Sequence, residues 1–500
     1  WNVRNRNKSS LFETSTLLIC YISSVAAEES PRIVIVGCGA SGIAAATRLL
    51  QNGFNNITIL EAENRIGGRV YTTPFGELPD YVVDLGGQWV HGEEDNVVYE
   101  MAWPLGLIEH SVQLGPFRLF DSSGSQLPED VGKKLMRYYL NISGAEAPES
   151  YMNKSMAEFY KIEDLLNSEP ELTESQRKSL TDMVNLFHMA MYAGDTWLHL
   201  SVHHENNCKG DQAMNWKERG YSTILDILMK KYPDPTQELP VLTNTVLNTE
   251  VSKINYNAAG GQIRVTTATG DEYSADHVIV TPSVAVLKAD YETLFDPPLP
   301  EAKINAIKHI ELGAVVKIYL SYPEPWWTKG NDSNPVFTFH WREEDKTEYP
   351  EKSWMLGLVY IFTVEHKPRL LCAWVTGTHA RDMENIPDER VFEQTKEFLR
   401  RFMGKSQNLT EPTEMLRSKW LSNKHFRGTW SYRSLETERS GAKAEDISEP
   451  ISKDGNPMVL FAGEATHSKH PSTVHGAIGS GWREADRLIK LYADRKSSTT

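Results

Sequence analysis

The sequence predicts an α/β fold built around a buried parallel sheet, on three observations. Arg32-Ile33-Val34-Ile35-Val36 is a β-branched run with little alternation, the pattern of a strand covered on both faces. It passes straight into a glycine-rich turn and a helical pattern from Ile43 to Leu50. A second run, Met458-Val459-Leu460-Phe461-Ala462, opens a similar strand–loop–helix succession near the other end, its helix running to about Tyr492.

The 500 residues exceed one ordinary core and predict roughly two to three domains. Hydrophobic residues make up 40% and charged residues 24%, with a mean hydropathy of −0.43. Those values exclude a polytopic membrane protein and a disordered chain. Acidic residues outnumber basic ones, 67 to 52, for a formal charge of −15. That sign argues against a nucleic-acid partner and attracts polycations instead.

Four cysteines are too few for a disulfide scaffold, and none form a C-x-x-C pair. Neither His203-His204 nor His467 with His470 has cysteines at finger spacing, so no metal is predicted. Cys208 and Cys372 are either bridged or, as the low cysteine count favours, free thiols.

Arg4, Arg6 and Lys8 precede a short apolar stretch, Leu17 to Ile22, which runs into Ser23-Ser24-Val25-Ala26-Ala27. A basic region, a short apolar region and small residues at a cleavage site describe a signal peptide over 1–27. The alternative is an N-terminal extension of a cytoplasmic protein. The stretch is too short to span a bilayer. Six N-x-S/T triplets, at Asn7, Asn56, Asn141, Asn153, Asn331 and Asn408, add mild support for a secreted or vesicular glycoprotein. The chain begins with Trp rather than Met, so its first residue is not taken as the true start.

The turn after the first strand is Gly37-Cys38-Gly39-Ala40-Ser41-Gly42, a G-x-G-x-x-G between strand and helix. Gly37 permits the turn, Gly39 lets the backbone approach a pyrophosphate, and Gly42 allows close helix–strand packing. The helix N-terminus at Ala40 and Ser41 supplies N–H groups and a positive dipole end for the phosphates. A second strand, Ile57 to Leu60, ends at Glu61 with Ala62 behind it. A carboxylate there can accept both ribose hydroxyls of a dinucleotide. This is a Rossmann-type nucleotide site.

Past Glu61, five residues precede Gly67-Gly68-Arg69. This second turn with its arginine resembles the two-part nucleotide motif of the flavin-dependent amine oxidases. The C-terminal succession resembles that family too: Gly463-Glu464, then a loop, then Ser472-Thr473-Val474-His475-Gly476-Ala477 opening a helix. The resemblance covers residues 31–490 and implies FAD as cofactor. It places Glu464 at the ribitol and the helix N-terminus at Thr473 and Val474 beside the pyrimidine edge. The monoamine oxidases of the family attach FAD to a cysteine near this motif. Here the final cysteine, Cys372, lies far before Gly463, so non-covalent FAD is expected.

The resemblance further implies a Rossmann-type FAD-binding domain interleaved with an α+β substrate-binding domain whose mixed sheet covers the flavin. The FAD-binding domain would comprise 28–115, 240–300 and 440–500, and the substrate-binding domain 116–239 and 301–439. Thr249-Glu250-Val251 looks like the strand whose Val251 backbone meets the adenine. Ala275 to Thr281 looks like the next strand of that domain. The charged stretch Glu343 to Lys352 reads as a solvated loop.

Gly313-Ala314-Val315-Val316-Lys317-Ile318-Tyr319-Leu320 matches the family strand whose lysine holds a water against flavin N5, which gives Lys317 that role. Strands seldom bury a lysine without a partner; an edge lysine facing solvent is the plainer alternative. Gly86-Gly87-Gln88-Trp89-Val90-His91-Gly92 resembles the segment running along the flavin into the substrate tunnel. Its W-x-H-G form is that of the animal spermine and acetylpolyamine oxidases, with His91 bonding a substrate nitrogen. Glu93-Glu94-Asp95 is either a steering patch for polyamines or a solvated acidic loop. Trp420 and Gly428-Thr429-Trp430 resemble the segment beside the flavin. Trp430 would wall the amine cavity, with a bulky core residue as the alternative. Ser472 and Thr473 stand where monoamine oxidases carry an opposing aromatic. Asp195 and Glu205 are candidate amine anchors.

The reading is an FAD-dependent polyamine oxidase of the animal branch. Its small-molecule substrate is spermine or an N1-acetylated spermine or spermidine, with O2 as acceptor. An L-amino-acid or monoamine oxidase of the same family, or a polyamine-binding flavoprotein without turnover, are the rivals. A histone demethylase is disfavoured because no inserted helical arm is visible. Oligomeric state is not readable.

Overall fold

The computed structural model describes residues 30–499 apart from 77, 79–80, 112–116, 144–146, 152, 171, 203–207, 259–260, 328–333 and 347–349. The predicted signal peptide, Cys20 and Glu205 lie outside the described residues. The strands Ile33–Val36, Ile57–Leu60, His277–Val280 and Asn456–Phe461 pair in parallel. Thr245–Val246 extends this sheet beyond Ile57–Leu60, and Ile451–Lys453 closes the other edge in antiparallel sense.

Ile33–Val36 is buried throughout because its alternate side chains feed two cores. Ile33 and Ile35 pack with Ile43, Leu49, Ile478 and Leu488 from the helices Ala40–Gln51 and Val474–Thr499. Val34 and Val36 pack with Val278, Val280, Val459 and Phe461 on the other side. Burial on both faces is why the run shows no polar alternation. The two helices touch closely at Gly481, where a Cβ would come within 2.2 Å of Ser41 O. The C-terminal helix continues past Tyr492 to Thr499.

A second six-stranded sheet has the order Glu414–Arg417, Val315–Ser321, Leu370–Thr376, Leu358–Thr363, Val336–His340, Phe117–Asp121. It is antiparallel except for its last pair. In register, Lys317 stands opposite Trp374, and Trp374 opposite Tyr360. Tyr319, Cys372 and Phe362 form the neighbouring row, so these six side chains share one face. The opposite face, with Ile318, Leu320, Ala373 and Ile361, packs on Phe398 and Phe402 of the helix Asp388–Met403. Each sheet thus draws on stretches of chain separated by stretches belonging to the other.

The charged stretch from Glu343 is not simply a solvated loop. Glu343–Lys346 forms a helical turn whose Asp345 is buried. Its carboxylate accepts from Ser122 Oγ at 2.6 Å and Arg342 Nε at 2.9 Å, and pairs with Arg401 at 3.1 Å. The arginines that make this burial affordable are distant or adjacent in sequence, so composition alone could not separate it from a surface run. Among the described residues no disulfide joins Cys208 to Cys372. No described helix is long and apolar enough to cross a membrane.

Candidate active site

A cleft with about 1730 Å³ of unfilled space, open to solvent at its mouth, runs across the carboxyl ends of the parallel strands. Gly37, Gly39, Ala40, Ser41, Glu61, Ala62, Arg69, Gly87, Val251, Trp430, Gly463, Glu464, Ser472, Thr473 and Val474 line it. The structure therefore gathers predicted residues from both ends of the chain and its middle. Gly42, Gly86, Gln88, Trp89 and Trp420 lie outside this lining.

The glycines do different work. Gly37 has φ +101°, and a Cβ on it would stand 2.4 Å from Thr281 Oγ1. A Cβ on Gly42 would meet Gly37 O at 2.1 Å, which accounts for its place at the helix–strand contact. Gly39 and Gly68 face each other without side chains, a Cβ on Gly68 reaching 3.2 Å from Gly39 Cα. Gly39 is also the N-cap of Ala40–Gln51 and offers no side-chain bond to the first-turn N–H groups. A glycine-lined slot at an uncapped helix N-terminus fits a pyrophosphate.

Glu61 is buried, and burial raises its pKa. Its oxygens accept from Cys38 N at 2.6 Å and Glu63 N at 2.8 Å, leaving further lone pairs for a ribose diol. Arg69 Nη1 donates to Glu464 Oε1 at 2.9 Å and Thr429 O at 2.7 Å. Glu464 Oε2 accepts from Ser431 Oγ at 2.5 Å and Ser472 N at 2.8 Å. This ion pair ties the second glycine turn to the C-terminal motif. Thr473 caps the C-terminal helix, accepting from Gly476 N at 2.9 Å while donating to His470 O. Ser472 Oγ donates to Ser431 O. Both hydroxyls predicted for substrate are thus engaged by backbone. Trp420 stands behind the cleft, its indole donating to Leu85 O at 2.8 Å and its ring against Gly86. It buttresses the Gly86-Gly87 segment instead of lining the cofactor cleft. Together these groups fit an FAD molecule.

Lys317 is buried in the second sheet. Its ammonium donates to Asp84 O at 3.0 Å, Gly86 O at 2.7 Å and Gln88 Oε1 at 2.8 Å, which uses all three N–H bonds. The Trp89 and Trp374 rings lie 5.8 and 5.5 Å from the nitrogen. Burial lowers the lysine pKa to about 8. The water-holding donor expected of Lys317 is therefore committed to protein in this structure, and Gln88 is the one side chain among its three acceptors. Asp84, buried with its pKa raised to about 6 by that burial, accepts from Thr72 Oγ1 at 2.5 Å and Tyr221 N at 3.0 Å. It thereby holds the backbone carbonyl that Lys317 uses.

Trp89 packs against Phe362 and Trp374 at ring separations of 5.7 and 5.8 Å, and Trp374 against Tyr360 and Trp430 at 5.6 and 6.5 Å. Sequence reading missed Tyr360, Phe362 and Trp374; the aromatic alternation at 360 and 362 was the available signal. His91 Nδ1 bonds Gln212 O at 2.5 Å, which assigns the proton to Nδ1 and leaves Nε2 as an acceptor. Burial lowers the His91 pKa, favouring the neutral ring. Asp195 pairs with Arg381 at 3.4 Å.

Fold and cleft together define a dinucleotide-dependent oxidoreductase with an aromatic second site. The model of the flavin containing amine oxidoreductase family matches residues 40–489. The chain belongs to the flavin-containing amine oxidase family, and FAD is its cofactor. It is 30% identical to the peroxisomal N(1)-acetyl-spermine/spermidine oxidase of Bos taurus, over 92% of this chain and 95% of that protein. Polyamine oxidase 1 of Zea mays is 27% identical over 93% of this chain and 92% of its own length. A redesigned putrescine oxidase triple mutant superposes with a TM-score of 0.63 at 20% identity, covering 92% of this chain and 99% of that one.

Proposed function

We propose that the chain is a polyamine oxidase acting on a secondary amine of spermine or of an N1-acetylated spermine or spermidine. The observation that carries this reading is the aromatic face of Trp89, Phe362, Trp374 and Trp430 beside the FAD cleft. Relatives whose names specify N1-acetylated polyamines and polyamines support it. Held by the Gly39–Gly68 slot, Glu61, Arg69 and Glu464, bound FAD would supply the two-electron oxidation of the C–H next to the amine with O2 as final acceptor, giving H2O2, and water would hydrolyse the oxidised amine to an amine and an aminoaldehyde. Desolvation on entry between these walls disfavours the charged amine, which gives its proton to solvent and keeps the lone pair that imine formation needs. His91 Nε2 accepts a hydrogen bond from the amine N–H and orients it. Lys317 holds the Gly86–Gln88 backbone in place and, on releasing Gln88, offers one N–H to water. The acidic protein attracts the polycation at long range.

The test is an anaerobic absorbance spectrum before and after adding spermine, then N1-acetylspermine. Bleaching by spermine alone assigns a spermine oxidase, and bleaching mainly by the acetylated amine assigns an acetylpolyamine oxidase. A yellow protein bleached by neither sinks the polyamine reading. We also propose entry into the secretory pathway, on the N-terminal pattern and the glycosylation triplets.

A further inference from the structure

Three side chains that the amine chemistry does not use meet close to the start of the C-terminal helix. Cys208 precedes the turn that carries Gln212, His470 lies in the loop after Glu464–Thr466, and His475 is in the first turn of Val474–Thr499. One ligand atom from each lies within 4.8 Å of the others. Cys208 Sγ is 3.8 Å from His475 Nε2, and the two imidazole rings are 4.8 Å apart at 59°. His470 and His475 are only 5% and 4% exposed. His470 Nδ1 is buried without a hydrogen-bond partner among the described residues. Such a nitrogen calls for an explanation, since buried polar atoms are normally satisfied. His467 is not in this group; its Nδ1 accepts from Lys469 N and His470 N and so shapes the loop.

We propose that Cys208, His470 and His475 form a Zn2+ site with one position left for water. One thiolate and two imidazoles are a donor set suited to Zn2+, and not to Mg2+ or Ca2+. Bonds of about 2.0 to 2.3 Å place the nitrogen and sulfur ligands of a tetrahedral site roughly 3.3 to 3.6 Å apart, so the group, whose ligand atoms lie within 4.8 Å of one another, closes by at most about 1.5 Å. Binding moves the Cys208 proton to solvent as the S–Zn bond forms, and both imidazoles coordinate in neutral form. The ion ties the segment carrying Gln212, which holds His91, to the helix start that borders the FAD cleft. Zinc spacing was invisible in the sequence because Cys208 is remote from both histidines.

The experiment uses FAD-loaded protein stripped with a chelator, dialysed and titrated with Zn2+, with Co2+ as an optical probe. The expected result is one Zn2+ per chain after dialysis, a higher Tm, and tetrahedral Co2+ bands to the red of the flavin absorption. Cys208→Ser and His470→Asn, each with FAD absorbance intact, should weaken Zn2+ binding roughly tenfold or more. A substoichiometric metal content, or stoichiometric Zn2+ that neither variant weakens, overturns the proposal.

Discussion

Gln88 Oε1 accepts a hydrogen bond from Lys317 Nζ at 2.8 Å, the only one of the lysine's three bonds made to a side chain. A side chain can rotate away where two backbone carbonyls cannot, so on the proposed role of Lys317 the Gln88 bond is the one to be released for water. Lys317→Met should keep the FAD and slow its reduction, reoxidation or both by roughly 10²-fold. Gln88→Leu should keep the FAD and slow turnover less. Stopped-flow turnover of Lys317→Met equal to the parent removes the lysine from the chemistry.

His91 titrates below the ordinary value of 6.5 because burial disfavours its charged form. The neutral acceptor therefore persists through neutral pH, and the part of the kcat/KM profile that belongs to His91 should be an acid limb below about 6.5, apart from any fall at higher pH that reflects protonation of the amine itself. In His91→Gln that acid limb should vanish along with part of the rate. The same shift makes the unfolded chain bind the proton more readily, so the contribution to stability is lost as pH falls below 6.5. An unchanged acid limb in the variant assigns it to another group.

Gly39 faces Gly68 with no side chain between them. Gly39→Val should fill that slot and yield a colourless protein that does not regain its absorbance on incubation with FAD. Circular dichroism separates this outcome from unfolding. A yellow Gly39→Val protein moves the pyrophosphate elsewhere.

The Arg69–Glu464 pair is 2.9 Å long, with the Glu464 side chain only 7% exposed. Arg69→Ala leaves a buried carboxylate held by Ser431 and Ser472 alone. It should cost about 3 kcal/mol of stability, read as a lower denaturant midpoint, and loosen FAD. Equal midpoints would show that solvent screens the pair.

Asn56, Asn153 and Asn408 are exposed. If the chain enters the secretory pathway, expression in a secreting animal cell should give protein in the medium whose mass drops on treatment with an N-glycosidase. Intracellular protein without glycans refutes that assignment.

The sequence by itself determined the parallel sheet, the nucleotide turn and the cofactor class. Those depend on local rules: a β-branched run buried on both faces, glycines where a Cβ would collide, a carboxylate at a strand end. Lys317 is a single charge in an apolar strand, but its role came from the resemblance of Gly313 to Leu320 to the family strand. Only the tertiary structure decided what each group bonds to. The register that sets Lys317 opposite Trp374 and Tyr360, the pair joining Arg69 to Glu464, and the meeting of Cys208 with His470 and His475 are contacts between distant segments. It also showed Thr473 capping the C-terminal helix while lining the cleft, and Trp420 bonded to Leu85 behind it. Composition and spacing act along the chain, whereas hydrogen bonds and burial are settled between segments that come together only on folding.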